Sequence, residues 1–293
     1  MICLGKKNTN MNQIDIVKSV INDLERIDPN DQFAYEKAFS IMHRIPHLPI
    51  FMTTITKGMP LFRSRPNKEV DLFKNVYEDL ALTPEHFVNG FGRCNRPNQS
   101  IFYCSENRPT SYIELVESLA NTHQVGETFF ITVVRWEIVK PINVLIVTPI
   151  DASKRTSEFE NEHGIEMDKI LSRLNPDIRD ASEAFINYIV EKLKSRAGVN
   201  SNIYFITSAF TNLCFTHSDQ LDGVFYPSVP FAGQGANIAL RKSTFQNKVL
   251  TPITGIRNQF EVLMNGNGKK NFQDVGIFSI DSISKDGEIN WAN

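Results

Sequence analysis

Apolar residues recur at helical spacing near the start of the chain. Over residues 13–26, Ile14, Val17, Ile21 and Leu24 fall on one stripe, which the Asp28-Pro29-Asn30-Asp31 run stops. A second helical pattern carries Phe33, Ala34, Ala38, Ile41 and Met42 and ends at Pro46 and Pro49. Residues 1–55 therefore read as a helical extension, packed on the main core or serving as a cap or partner-binding surface. Strand-like runs follow. Residues 59–66 form a short strand ending in Arg63 and Arg65, and residues 100–104 are an apolar, aromatic run of the buried-strand type. A helix starts near Thr110, with Ile113, Val116 and Ala120 at helical spacing. Residues 128–139, rich in Phe, Ile, Thr and Val and holding Trp136, form a strand that Pro141 breaks; residues 142–148 form another.

The second half is less regular. Residues 153–180 are charged and weakly patterned, as in a lid or a peripheral helix. Asp180 reads as the N-cap of a helix to Arg196, with Ala184, Phe185, Tyr188, Ile189 and Leu193 on one side and Gly198 as its stop. Residues 203–215 are largely apolar and read as a short strand or turn feeding a helix. Asp222-Gly223 introduces a strand over 224–228, in which Pro227 marks an edge or a strand end. Gly233-Gln234-Gly235 leads into an apolar run at 237–240, and two last strands, 260–264 and 275–280, flank a loop rich in Asn, Gly and Lys at 265–271. Strands cluster centrally and late, with helices before and between them. The pattern predicts an α+β fold, a mixed β core with surrounding helices, in preference to a regular βαβ array.

Composition narrows the function classes. The 293 residues suffice for one large or two modest domains. Charged residues make up 22% and the formal net charge is −2, which argues against nucleic-acid or membrane binding driven by bulk charge. No apolar run approaches the roughly 20 residues of a membrane span, and the polar N-terminus lacks a signal-peptide core. Cys3, Cys94, Cys104 and Cys214 form no Cys-x-x-Cys pair, so free thiols in a reducing cytoplasm are expected. His43 and His47 are four residues apart, but Pro46 denies them a shared helix face, and no metal site is expected. Asn98-Gln99-Ser100 matches a glycosylation acceptor by chance in such a setting.

Familiar nucleotide and hydrolase motifs fail on inspection. Gly233-Gln234-Gly235 lacks the third glycine and a following helix, and Gly268-Lys269 lacks the rest of a P-loop. There is no Gly-x-Ser-x-Gly elbow and no His-Glu-x-x-His. One stretch stands out instead. Arg93 lies in a turn-like segment with Gly90, Gly92, Asn95, Pro97 and Asn98; Tyr103 lies on the aromatic run ten residues on; Glu114 falls on the next helix, eleven residues further. A loop cation, a strand aromatic and a helix carboxylate can converge on one pocket. On spacing alone, a loop arginine, a core tyrosine and a solvated glutamate are the favoured account.

Those residues match a known pattern. Gly92-Arg93-Cys94-Asn95, Phe102-Tyr103-Cys104-Ser105 and Tyr112-Ile113-Glu114-Leu115-Val116-Glu117, followed downstream by Asp222-Gly223-Val224-Phe225-Tyr226-Pro227-Ser228 and Asn237-Ile238-Ala239-Leu240, resemble the RES domain, a family named for an arginine, a glutamate and a serine. The resemblance runs from about residue 61 to 240, with the blocks in the family's order. Phe62-Arg63 resembles the family's early arginine, with Arg65 the competing assignment. It implies a fold similar to ADP-ribosyltransferase toxins, a catalytic domain at 56–248 and strands at 249–293 that complete or flank it. It also implies NAD⁺ as substrate, with no separate cofactor, consumed by hydrolysis or phosphorolysis in a cytoplasmic toxin or defence effector. Some members transfer ADP-ribose to a target, and the usual partner resembles an Xre-type helix-turn-helix antitoxin. Direct nucleic-acid and membrane partners are not implied. This chain is longer than the compact toxins, and Cys94 stands where many members carry an aromatic or other apolar residue.

The resemblance assigns roles that the chemistry supports. Nicotinamide is a cationic leaving group, so the barrier lies in positive charge developing on the ribose, which a carboxylate at Glu114 stabilises. Arg93, with Arg63 or Arg65, supplies planar donors for the pyrophosphate, and Tyr103 stacks on the nicotinamide. Ser228 bonds substrate or holds Glu114, and Asn237 is a further polar candidate. Two other readings compete: an ADP-ribosyltransferase acting on a protein or small molecule, and an inactive NAD-binding interaction module.

Overall fold

The computed structural model describes residues 2–3, 12–48, 50–67, 72–155, 157–195, 201–228 and 235–292, and for residues 2, 3, 114, 159 and 201 it describes the backbone alone. In chain order the first elements are β1 (Ile2–Cys3), α1 (Gln13–Glu25), α2 (Ala34–Met42), β2 (His47–Leu48), β3 (Met52–Ile55), β4 (Pro60–Asn67), β5 (Ile101–Ser105) and α3 (Arg108–Thr122). There follow β6 (Thr128–Ile138), β7 (Ile142–Ile146), α4 (Glu158–Leu171), α5 (Pro176–Lys194) and α6 (Phe205–His217). The last are β8 (Gly223–Pro227), β9 (Ala236–Arg241), α7 (Lys242–Gln246), β10 (Leu250–Met264), β11 (Lys270–Ile283) and β12 (Ile289–Trp291). The α+β class expected from the pattern is what is found. Among the described residues no helix is long and apolar enough to cross a membrane.

Two compact units share the chain, each assembled from three segments: 1–54, 83–101 and 142–241 form the first, and 55–82, 102–141 and 242–293 the second. In the first unit, α1 packs on α5, α2 on α6, and α5 on both α6 and β8. Its main strands run β9-β8-β7-β3, with β7 parallel to β8 and β8 antiparallel to β9. Pro227 sits at the end of β8, where its missing N–H interrupts no ladder. Helix α1 buries Ile16, Val17, Val20 and Leu24, close to the stripe the sequence shows. Helix α6 is buried nearly all round, from Phe205 to Phe215, which is why its apolar run carried no readable period; a 3₁₀ turn at Ser201–Tyr204 feeds it, with no strand.

One expectation in this unit needs correction. Helix α5 starts at Pro176 with Asn175 as its cap, the Asn175 side chain accepting from the Asp177 N–H, and not at Asp180. The Asn-Pro pair is the stronger start signal because proline at the first helical position removes an N–H that would go unpaired anyway. The stop expected at Gly198 lies outside the described residues, as do Gly233 and Gln234. Of the two forms expected for the charged stretch before α5, a lid or a helix, it contains the helix, α4, opened by a capping box between Ser157 and Glu160.

The second unit is an antiparallel sheet in the order β12-β11-β10-β6-β4-β5. Strands β10 and β11 are 15 and 14 residues long, far longer than the 260–264 and 275–280 runs expected. Pro252 falls at a register shift in β10 and disguises the strand's first half. Most of β11 is exposed on both faces, so it shows no clean alternation. Helix α3 covers one face of this sheet through a cluster of Val116, Ala120, Phe129, Ile131, Val133, Phe260 and Val262, with Phe62, Tyr112, Leu115 and Leu119 packed against it. The opposite face holds Trp136, with Phe102 and Phe245 at 5.3 and 5.5 Å between ring centroids.

The guanidinium of Arg155 is held beneath α4 by the carbonyls of Pro149 and Ile150 and by both carboxylate oxygens of Asp168. A methyl group at Gly164 would stand 2.5 Å from Arg155 Cζ. Because four hydrogen bonds fix that side chain, it cannot swing aside. Gly164→Ala is expected to cost about 1–3 kcal/mol of unfolding free energy in denaturant titration; an unchanged or raised midpoint would show that Arg155 yields freely.

Candidate functional site

The candidate residues are divided between the units. Tyr103, Glu114, Arg63 and Arg65 belong to the second, and Arg93, Ser228 and Asn237 to the first.

In the second unit, strand geometry sorts the side chains by face. Ser105 of β5 pairs with Phe62 of β4, and directly paired residues share a face. Tyr103, two residues before Ser105, therefore lies on Phe62's face, the face that α3 covers. The Ser64 and Ser111 hydroxyls meet across that strand–helix contact at 2.7 Å. Tyr103 is half-buried, while Phe102 and Cys104 on either side are buried toward the other face. Helix α3 begins at Arg108 because Asn107 accepts from the Thr110 N–H and Pro109 follows at the start of the helix. Glu114 sits on α3 three residues after Ser111; its side chain lies outside the described residues. Tyr103 and the helix bearing Glu114 are thus on the same side of the sheet.

Arg63 and Arg65 occupy the opposite face of β4. Arg63 is 8% exposed, and its Nε donates to the Leu80 carbonyl at 2.9 Å and its Nη1 to the Tyr103 carbonyl at 2.6 Å. Its guanidinium carbon stands 4.8 Å above the Phe102 ring. Burial, and then the charge of Arg65, draw the Arg63 guanidinium down to about 9. Arg65 Nη2 donates to the Ala81 carbonyl at 3.1 Å. Both side chains are thus engaged with the 80–81 main chain.

In the first unit, Arg93 stands in a turn closed by the Gly92 N–H on the Asn95 carbonyl at 3.0 Å. Its Nε donates to the carbonyl of Leu193 at 2.9 Å, in the last turn of α5, where helix carbonyls lack intrahelical partners. The guanidinium carbon lies 5.0 Å from the Tyr204 ring centroid, and Tyr204 Oη donates to the Ser195 carbonyl. The turn is tied to α6 by reciprocal amide bonds between Gln99 and Asn212 at 2.6 and 3.1 Å. Tyr204 was missed from the sequence, since nothing in an apolar run a hundred residues away marks it as the ring beneath Arg93.

Ser228 and Asn237 come together on one face of β8 and β9. Asn237 pairs with Tyr226, and the Ser228 N–H donates to the Gly235 carbonyl, so Ser228, Tyr226 and Asn237 follow the same side of the ladder. Ser228 is buried, and its hydroxyl has no hydrogen-bond partner among the described residues. Such a group is costly unless something bonds it. Asn237 is half-buried.

No protein-family model, curated protein or solved structure matches this chain.

Cys94 adjoins Arg93, but burial pushes its thiol up to about 12, against the opposing pull of the Thr211 hydroxyl and the Arg93 charge. Burial also pushes Cys104 up to about 12 and raises Cys214. Neutral buried thiols are poor nucleophiles. At pH 8 all three should react with a disulfide reagent at least about a thousandfold more slowly in the folded protein than in denaturant. Site-resolved mass spectrometry showing Cys94 labelled as fast as an unfolded thiol would contradict this environment.

Proposed function

We propose that this chain is an NAD⁺-consuming enzyme of the RES type, with an ADP-ribosyltransferase-like fold, acting in the cytoplasm as a toxin or defence effector under an Xre-type antitoxin. One observation carries the reading. An arginine, a tyrosine and a glutamate at ten- and eleven-residue spacing fall on a turn, a strand and a helix in that order, with Tyr103 on the sheet face that α3 covers.

The chemistry follows from the leaving group. The bond between the ribose anomeric carbon and the pyridinium nitrogen breaks, both electrons go to the ring, and neutral nicotinamide departs without a proton donor. The sugar carbon is left electron-poor, and the Glu114 carboxylate stabilises that charge and accepts from a ribose hydroxyl. Water adding at the carbon gives ADP-ribose and releases a proton; phosphate adding there gives the sugar phosphate. Tyr103 stacks on the nicotinamide and fixes its plane. The resemblance assigns Arg93 to the diphosphate, and within its own unit the guanidinium is oriented by the Leu193 carbonyl and the Tyr204 ring. The buried Ser228 hydroxyl and the Asn237 amide supply polar contacts to the substrate. Arg63, which the resemblance offers with Arg65 as a pyrophosphate clamp, takes a different part. Its bonds to the Leu80 and Tyr103 carbonyls make it a positioning residue that fixes β5 from the opposite face.

The test is incubation of pure protein with NAD⁺, with and without phosphate, and mass spectrometry of the products. Free nicotinamide with ADP-ribose or its phosphate is expected. Glu114→Gln and Arg93→Ala should each lower turnover by roughly a hundredfold or more, the scale of losing one preorganised electrostatic contact. Intact NAD⁺ throughout, or wild-type turnover by folded Glu114→Gln, would overturn the assignment; ADP-ribose found covalently on added protein would make the enzyme a transferase.

A further inference from the structure

His43 and His47 share no helix face, but the fold gives His43 another histidine as neighbour. His43 caps the C-terminus of α2 and His217 is the last residue of α6, with ring centroids 5.6 Å apart and planes at 54°. His43 Nδ1 bonds the Phe39 carbonyl at 2.8 Å, and His217 Nδ1 bonds the Leu213 carbonyl at 2.7 Å. A carbonyl only accepts, so in each neutral ring Nδ1 carries the proton and Nε2 keeps its lone pair. This is the arrangement in which metal-binding imidazoles are usually held, one ring nitrogen anchored to an acceptor and the other presented to the ion.

The spacing fits as well. A zinc–nitrogen bond of about 2.0–2.1 Å puts a ring centroid about 3.2 Å from the ion, and two such rings at a tetrahedral angle stand about 5.2 Å apart. The observed separation is within half an ångström of that. The field is also favourable, because two helix C-termini, each carrying partial negative charge on its last carbonyls, end at the pair. Phe39, 4.8 Å from the His43 ring, restricts that ring from one side. Nitrogen donors select borderline transition metals over magnesium or calcium.

We propose that His43 and His217 together bind one divalent transition-metal ion of the zinc class, with water completing its shell, clasping the end of α2 to the end of α6. The site is independent of the reading given to Arg93, Tyr103 and Glu114. It would reinforce a helix pair that also holds the Arg93 turn, through the Asn212–Gln99 bonds.

Isothermal titration of the full chain with Zn²⁺, beside Mg²⁺, His43→Asn, His217→Asn and the control His86→Asn, tests this. One zinc per chain is expected, with no magnesium uptake, at least tenfold weaker zinc binding in each of the first two variants, and no change in the third. Metal-free melting of the variants at the wild-type temperature shows that lost binding is not lost fold. Failure to take up zinc, or uptake that survives both substitutions, or an equal loss in His86→Asn, would overturn the site.

Discussion

A buried guanidinium persists only where carbonyls replace the water it has lost, and Arg63, 8% exposed as a residue, meets that condition with the main chain of Leu80 and Tyr103. Its bonds fasten the Leu80 main chain and β5 to β4, with the Phe102 ring completing its enclosure. The alternation of a strand does the rest. With Phe102 and Cys104 drawn to the arginine's face, Tyr103 has to face α3. A one-residue slip would bury the tyrosine among Trp136 and Phe245 and turn Phe102 toward the helix. The placement of the candidate aromatic therefore depends on a charge on the other side of the sheet.

Much of this was legible in the chain. The α1 stripe, the aromatic β5, the β6 run around Trp136 and the turn–strand–helix succession through Arg93, Tyr103 and Glu114 all follow from period and local chemistry. What escaped did so for physical reasons. Helix α6 is buried nearly all round, its Thr207, Ser208 and Thr211 included, so its polar stripe does not mark a solvent face; β11 is exposed on both faces and shows no apolar one. Pro252 masks the start of β10, and Asn175-Pro176 outranks Asp180 as a helix start. The individual candidates were visible as residue types, but their surroundings were not. Arg63, expected beside Arg65 as a pyrophosphate clamp, is buried and bonded to the Leu80 and Tyr103 carbonyls. Tyr204, which lies beneath Arg93, and His217, which faces His43, are joined to their partners only by the fold.

The first unit shows the same economy with polar groups. Arg93 satisfies a helix-end carbonyl while resting on an aromatic ring, and Arg155 threads beneath α4 because Gly164 leaves it room. Against that background the Ser228 hydroxyl is buried and without a partner among the described residues, as are those of Thr148 and Ser208. Under the proposed function, substrate completes the bonding of the Ser228 hydroxyl beside Asn237.

The account turns on Tyr103 presenting its ring to nicotinamide. Saturation-transfer NMR on the Glu114→Gln protein with NAD⁺ observes that encounter without turnover. Strong transfer to the nicotinamide ring protons, abolished in the Glu114→Gln/Tyr103→Ala double variant, is the result expected. Transfer that is absent, or that survives removal of the tyrosine ring undiminished, would contradict it.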